Sequence, residues 1–329
     1  MILHAVLCVV GFILLYFGAD WLVKGASSLA RSLGVIPIVI GLTVVAFGTS
    51  APELLVSVVS AFQGQSMIAV GNVVGSNICN IALVLGMAAL LHPLRSSMSV
   101  VNRDIPIMLG ISLILLLLSL NNQLSRFEGI FLFTCILLYT WYNYSISNRQ
   151  GKLADQGPSP EKELEQIGYV ASRPKQLLLI VVGIAGVVGG AKLVVDSAVL
   201  IMTYLGVNEK FIGLTIVAFG TSLPELATSV VAALRKEMDI SIGNLVGSNV
   251  FNILSVLGAS AMIRPISIPG GFVASGLIID YLVMLGTSFL PWLLMRRTGV
   301  LGRKGGALLL TTYLFYLVYL VATSTNPTA

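Results

Sequence analysis

Polar and apolar positions along this chain segregate into long blocks. Apolar runs cover residues 2–23, 37–62, 66–91, 101–120, 127–147, 176–204, 209–234, 238–263, 272–295 and 305–324. Each is about 20 residues or longer, the length that crosses the hydrocarbon of a bilayer as a helix. A lone segment in lipid must satisfy its own backbone hydrogen bonds, so these runs are read as helices. The pattern predicts an all-α polytopic membrane protein with ten transmembrane helices. One stretch breaks it. Residues 148–175 carry Arg149, Lys152, Asp155, Pro158, Pro160, Glu161, Lys162, Glu163 and Glu165. This is read as a polar linker with a brief helix at 160–167, too short for a folded regulatory domain.

Composition agrees. Of the 329 residues 56% are hydrophobic and 10% charged, against about 25% charged in soluble chains. Such a chain cannot cover itself with a water-compatible surface, so its first partner is the lipid bilayer. The net charge of +5 does not point to nucleic acid, because the basic residues cluster in loops. With the N-terminus outside, the inner loops hold Arg31, Arg95, Arg103, Arg149, Lys152, Lys162, Arg173, Lys175, Arg235, Lys236, Arg296, Arg297, Arg303 and Lys304. The outer loops hold Arg126, Lys210 and Arg264. The positive-inside rule then places both termini outside and the linker in the cytoplasm of a cell (plasma or inner) membrane protein. Residues 2–21 lack a basic leader and a cleavage site, so they are read as a retained first span. Cys8, Cys79 and Cys135 are read as free thiols, and His4 and His92 as structural or interfacial.

A repeat organises the chain. Residues 41–60 read GLTVVAFGTSAPELLVSVVS and residues 213–232 read GLTIVAFGTSLPELATSVVA; fifteen of twenty positions are identical at an offset of 172. Residues 71–86, GNVVGSNICNIALVLG, match 243–258, GNLVGSNVFNILSVLG, at eleven of sixteen positions and the same offset. An unchanged offset over two blocks indicates a duplicated half. Each half holds five predicted spans. Five is odd, so the copies enter the membrane from opposite sides. The expectation is two inverted five-helix repeats, residues 1–147 with the motif at 41–86 and residues 176–329 with the motif at 213–258, separated by the linker 148–175. Inverted-repeat transporters bind their cargo near the midplane, on helices broken at matching positions.

Pro52 and Pro224 supply the matching breaks, since proline removes an N–H and strains the preceding turn. Glu53 and Glu225 follow them. A carboxylate in mid-membrane is costly and marks function by default. Nearby oxygens come from Thr49, Ser50, Ser76 and Asn80 in one copy and Thr221, Ser222, Ser248 and Asn252 in the other. Two carboxylates among hydroxyl, amide and carbonyl oxygens suit a hard cation such as calcium, which takes about six to eight oxygen ligands. No soft ligand joins the pattern, which argues against copper or zinc. Hydroxyls and amides in membrane helices also serve simply as interhelical glue. Two other features read as structural: Asp20 with Lys24 and Lys192 with Asp196, each spaced for a local ion pair, and Glu128 beside Arg126 as an interfacial charge.

On GTSAPE and GTSLPE, with GNVVGSNICN and GNLVGSNVFN, the sequence resembles the calcium/cation antiporter superfamily, and within it the prokaryotic sodium/calcium exchanger branch. The resemblance covers nearly the whole chain except the linker. It implies an antiporter, not an enzyme, that needs no cofactor or obligate protein partner and exchanges about three sodium ions for one calcium by alternating access. It implies that Glu53 and Glu225 bind both ions. Thr49, Ser50, Thr221, Ser222, Ser76, Ser248 and the carbonyls of Ala46 and Ala218 would complete the sites, and Asn80 and Asn252 would line the middle. Some relatives carry Asp where this chain has Asn252, and its absence argues against potassium coupling. A calcium/proton antiporter on the same scaffold and a passive cation channel are the alternatives.

Overall fold

A computed structural model describes residues 2–154, 169–206, 218–273 and 275–325. Among these residues eight helices are long and apolar enough to cross a membrane: α1 Ile2–Ser32, α3 Ser66–Leu91, α4 Val100–Ser119, α5 Arg126–Ile146, α6 Arg173–Tyr204, α8 Met238–Ile263, α9 Leu277–Met295 and α10 Arg303–Thr323. A bent pair, Pro37–Thr49 and Ala51–Phe62, forms α2, with a bend of 49° between its arms. A shorter apolar helix, Leu223–Leu234, is α7. The first part of the seventh sequence span, 209–217, and the helix expected at 160–167 lie outside the described residues.

The helices arrange around α3 and α8, whose apolar windows are 78% and 83% buried, against 22% for α1 and α10. The larger core gathers side chains of α3, α4, α5, α8, α9 and α10, and a smaller one joins α1, α6 and α7. The outer faces stay apolar and exposed, as with Phe12, Leu113, Leu137, Val181 and Phe315. Contiguous exposed apolar surface on this scale suits lipid.

α1 and α6 run antiparallel in close contact. A Cβ at Gly18 would meet Val187 N at 2.6 Å, and one at Gly190 would meet Leu15 N at 2.7 Å. Backbones that close require glycine along the seam, the small-residue packing of membrane helices. Gly11, Gly18 and Gly25 approach Gly190, Gly183 and Gln176 in turn, which fixes the antiparallel sense.

Two short strand pairs clip the helices at their ends. β1 Leu94–Arg95 pairs antiparallel with β4 Val300–Leu301, and β2 Gln123–Leu124 with β3 Ile266–Ser267. Each clip takes one strand from either side of the linker.

Several local expectations need correction. Lys192 and Asp196 do form an i,i+4 pair, at 3.7 Å. Asp20 instead pairs with Arg235, over two hundred residues away, and not with Lys24. Arg235 follows α7 directly and its side chain reaches α1, so packing overrides the local spacing. Arg31 likewise reaches Glu237 at 2.6 Å. Glu128 caps α5: its Oε2 accepts from Ser125 N at 2.6 Å and from Ser125 Oγ at 2.7 Å, while Ser125 Oγ accepts from Glu128 N at 3.3 Å. That reciprocal arrangement is a capping box.

Candidate ion-binding site

The site starts from two proline breaks. Ser50 (φ −85, ψ 8) and Ser222 (φ −88, ψ 2) leave the helical region, and new helices start at Ala51 and Leu223. Pro52 and Pro224 occupy the opening turns, where a missing N–H costs nothing. Glu53 and Glu225 therefore sit in the first turns of the second arm of α2 and of α7, respectively, where backbone N–H groups have no intrahelical partner. A helix N-terminus favours negative charge, which offsets part of the cost of burying each carboxylate.

α3 and α8 face these breaks. Both leave α-helical geometry for a wider π-helical turn at matching places, Cys79–Leu85 and Asn252–Leu257. Such bulges recur at functional sites because they free carbonyls and re-aim side chains. Asn80 and Asn252 lie in them.

Glu53, Glu225, Thr49, Ser50, Ser222, Ser248, Asn80 and Asn252 are fully buried, and Ser76 nearly so. Thr221 is half-buried. The two sides of the chain interlock here. Ser50 Oγ donates to Glu225 Oε1 at 2.9 Å, and Ser248 Oγ lies 3.4 Å from the same oxygen. Thr49 Oγ1 donates to Asn244 Oδ1 at 3.0 Å and lies 3.4 Å from Ser248 Oγ. The structure thus brings together Thr49, Ser50, Ser248 and Glu225, and buries Glu53 at the matching break. Ala46 O accepts from Ser50 N at 3.0 Å and lies 3.3 Å from Thr49 Oγ1. On the other side Ser222 N donates to Phe219 O at 3.1 Å.

Many oxygens here lack a protein donor. Both carboxylate oxygens of Glu53, Glu225 Oε2, Thr221 Oγ1, Ser222 Oγ, Asn80 Oδ1 and Asn252 Oδ1 are buried without a hydrogen-bond partner. Orphaned buried acceptors cost roughly 1–3 kcal/mol each, more when charged. So many in one place call for an ordered water or an ion among them. Among the described residues no group of three or more His, Cys, Asp and Glu is set to hold a metal. The donor set is two carboxylates and neutral oxygens, suited to hard cations.

The sequence reading passed over three asparagines. Asn77 Nδ2 donates to Asn249 O, and Asn249 Nδ2 donates to Asn77 O, both at 3.2 Å. Asn80 Nδ2 donates to Asn249 Oδ1 and Asn252 Nδ2 to Asn77 Oδ1, both at 3.1 Å. These four residues link α3 to α8 in a pattern that exchanges the two helices. Asn244, the acceptor for Thr49, was also missed. All three stand inside the repeated GN and GSN motifs, which was the available signal.

Comparison with known proteins places the chain in a family. The family model described as "Sodium/calcium exchanger protein" matches residues 3–145 and 175–322. The chain belongs to the sodium/calcium exchanger family. It is 37% identical over 321 residues to the inner membrane protein YrbG of Escherichia coli K12, covering 97% of each chain. It is 32% identical to the sodium/calcium exchanger MaX1 of Methanosarcina acetivorans, covering 94% of this chain and 96% of that one. A solved structure of the sodium–calcium exchanger NCX_Mj superposes with a TM-score of 0.81 at 32% identity, covering 97% of this chain and 99% of that one. The protein is thus a multi-pass membrane protein of a transporter family.

Proposed function

We propose that this protein exchanges sodium for calcium across a cell membrane by alternating access, with Glu53 and Glu225 as the shared ligands of both ions. The observation that carries the reading is the pair of fully buried glutamates, one from each copy of the GTSxPE motif, amid unpaired oxygens. The name of MaX1 and the solved NCX_Mj structures support the same ion pair.

In this reading residues 1–147 and 176–329 are inverted copies, both termini lie outside, and the linker is cytoplasmic. Thr49, Ser50, Ser76, Thr221, Ser222, Ser248 and the carbonyls of Ala46 and Ala218 complete the cage, with Asn80 and Asn252 lining it. One calcium balances the two carboxylates; three sodium ions leave one positive charge. Exchange is then electrogenic, with the charge moving in the sodium limb. An empty cage holds two uncompensated charges in a region of low dielectric, a penalty that discourages switching without cargo. The α1–α6 pair, joined backbone to backbone, slides as one body past the ion-binding helices.

Calcium-45 uptake into proteoliposomes under separate sodium, potassium and proton gradients tests the reading. Uptake should follow the sodium gradient, and Glu53→Gln or Glu225→Gln should abolish it. Uptake driven by protons alone points to the calcium/proton alternative. Single-channel currents point to a channel, and wild-type flux in either Gln variant refutes the site.

A further inference from the structure

α4 and α9 open with an aspartate in comparable positions. At a separation of 176 residues Asp104, Met108, Gly110 and Ser112 align with Asp280, Met284, Gly286 and Ser288. At 177 Gly129 and Tyr139 of α5 align with Gly306 and Tyr316 of α10. The packing agrees: a Cβ at Gly129 would meet Gly258 O at 2.8 Å, and one at Gly306 would meet Gly86 O at 2.6 Å. Each half therefore carries the same acid near the same tyrosine.

The two acids are treated differently. Asp104 is fully buried and neutralised by Arg103 through two 2.9 Å contacts, Nε to Oδ1 and Nη2 to Oδ2. The residue before Asp280 is Ile279, and among the described residues no Lys or Arg pairs with Asp280. Its hydrogen bond is neutral: Tyr316 Oη donates to Oδ1 at 3.0 Å. Asp280 lines a cavity of about 390 Å³ that follows α3 from Ile68 through Asn72 to Ser76 and reaches Thr221. Among the described residues Asp280 is the single carboxylate on its wall, and the remaining lining is largely apolar. The cavity thus runs from the end of α9, where the uncompensated acid stands, to two oxygens of the ion cage.

We propose that Asp280 recruits cations at the mouth of this cavity, holding a partly hydrated ion before it passes to Glu53 and Glu225, and that it acts from one face of the membrane only. The inference rests on the antiport reading and adds a positioning residue to it. A lone negative charge in a low-dielectric cleft concentrates cations locally, and a divalent ion feels it twice over. The opposite face lacks this device, because Arg103 cancels the charge of Asp104. A purely structural role requires only an acceptor for Tyr316, which an amide would supply without the cost of a half-buried charge.

Inside-out and right-side-out vesicles test it. Asp280→Asn keeps the acceptor for Tyr316 and removes the charge. It should raise the half-saturating calcium concentration about threefold to tenfold from one face. The other face and the maximal rate should stay as in the wild type, and Asp280→Glu should restore affinity. The difference between wild type and Asp280→Asn should shrink as choline chloride is added. An unchanged value from both faces, an equal change from both, or a Glu variant as impaired as the Asn variant overturns the proposal. A wild type that moves no calcium would refute the antiport reading instead, and the same two-face comparison is then made on the cation that it does carry.

Discussion

The seam between α1 and α6 can be probed by placing one methyl group at two positions. At Gly18 the added carbon would lie 2.6 Å from Val187 N and 2.7 Å from Gly186 C. Both are backbone atoms that cannot swing away, and the overlap is about 1 Å relative to an ordinary contact of 3.5–4.0 Å. At Gly189, on the same helix pair, no atom comes within 4 Å of the added carbon. Alanine gains about 1 kcal/mol over glycine inside a helix at either position. Overpacking costs about 1–3 kcal/mol, at Gly18 alone. Gly18→Ala and Gly189→Ala should therefore differ in stability by about 1–3 kcal/mol, with Gly189→Ala at or above the wild type. The assay is the temperature at which the monodisperse fraction in detergent falls by half. Each kcal/mol corresponds to a few degrees. Equal midpoints for the two variants would refute the close approach, and with it the idea that these helices move as one body.

Three further outcomes follow from other contacts. Asn249→Ala removes two hydrogen bonds between α3 and α8; at about 0.6–1.7 kcal/mol per bond in a membrane, the detergent midpoint should fall while the helical circular dichroism persists at low temperature. A double-mutant cycle on Asp20 and Arg235 should show a coupling of about 0.2–1 kcal/mol, since the pair is partly exposed, and the coupling should decline with salt. Calcium uptake in vesicles clamped with potassium and valinomycin should respond to voltage by about 2.3 kcal/mol per 100 mV for one charge per cycle; a flat response would exclude three-for-one exchange.

The membrane-spanning helices and the two central glutamates could be read from the sequence for a specific physical reason. Lipid forbids backbone without internal hydrogen bonds and penalises buried charge, so long apolar runs and Glu53 and Glu225 stand out without any partner being known. What could not be read depends on partners distant in the chain. Asp20 has a lysine four residues on, and the helical spacing favours it, yet Arg235 arrives from the end of α7. Asn77 and Asn249 look like ordinary interhelical glue until α3 and α8 are seen to cross at them. The π-helical turns at Cys79–Leu85 and Asn252–Leu257 leave no mark in hydropathy, because widening a turn moves no residue between water and lipid. Asp280 escaped notice because only its missing counter-charge, measured against Asp104 and Arg103, sets it apart.

The strand clips bear on how the chain is made. Leu94 waits for Leu301, and Leu124 for Ile266; Ser50 and Thr49 wait for Glu225 and Asn244. Until residues 225–301 are made, these groups of the first half have no partner. Every one of these contacts joins a residue before the linker to one after it, so a cut within the linker severs none of them.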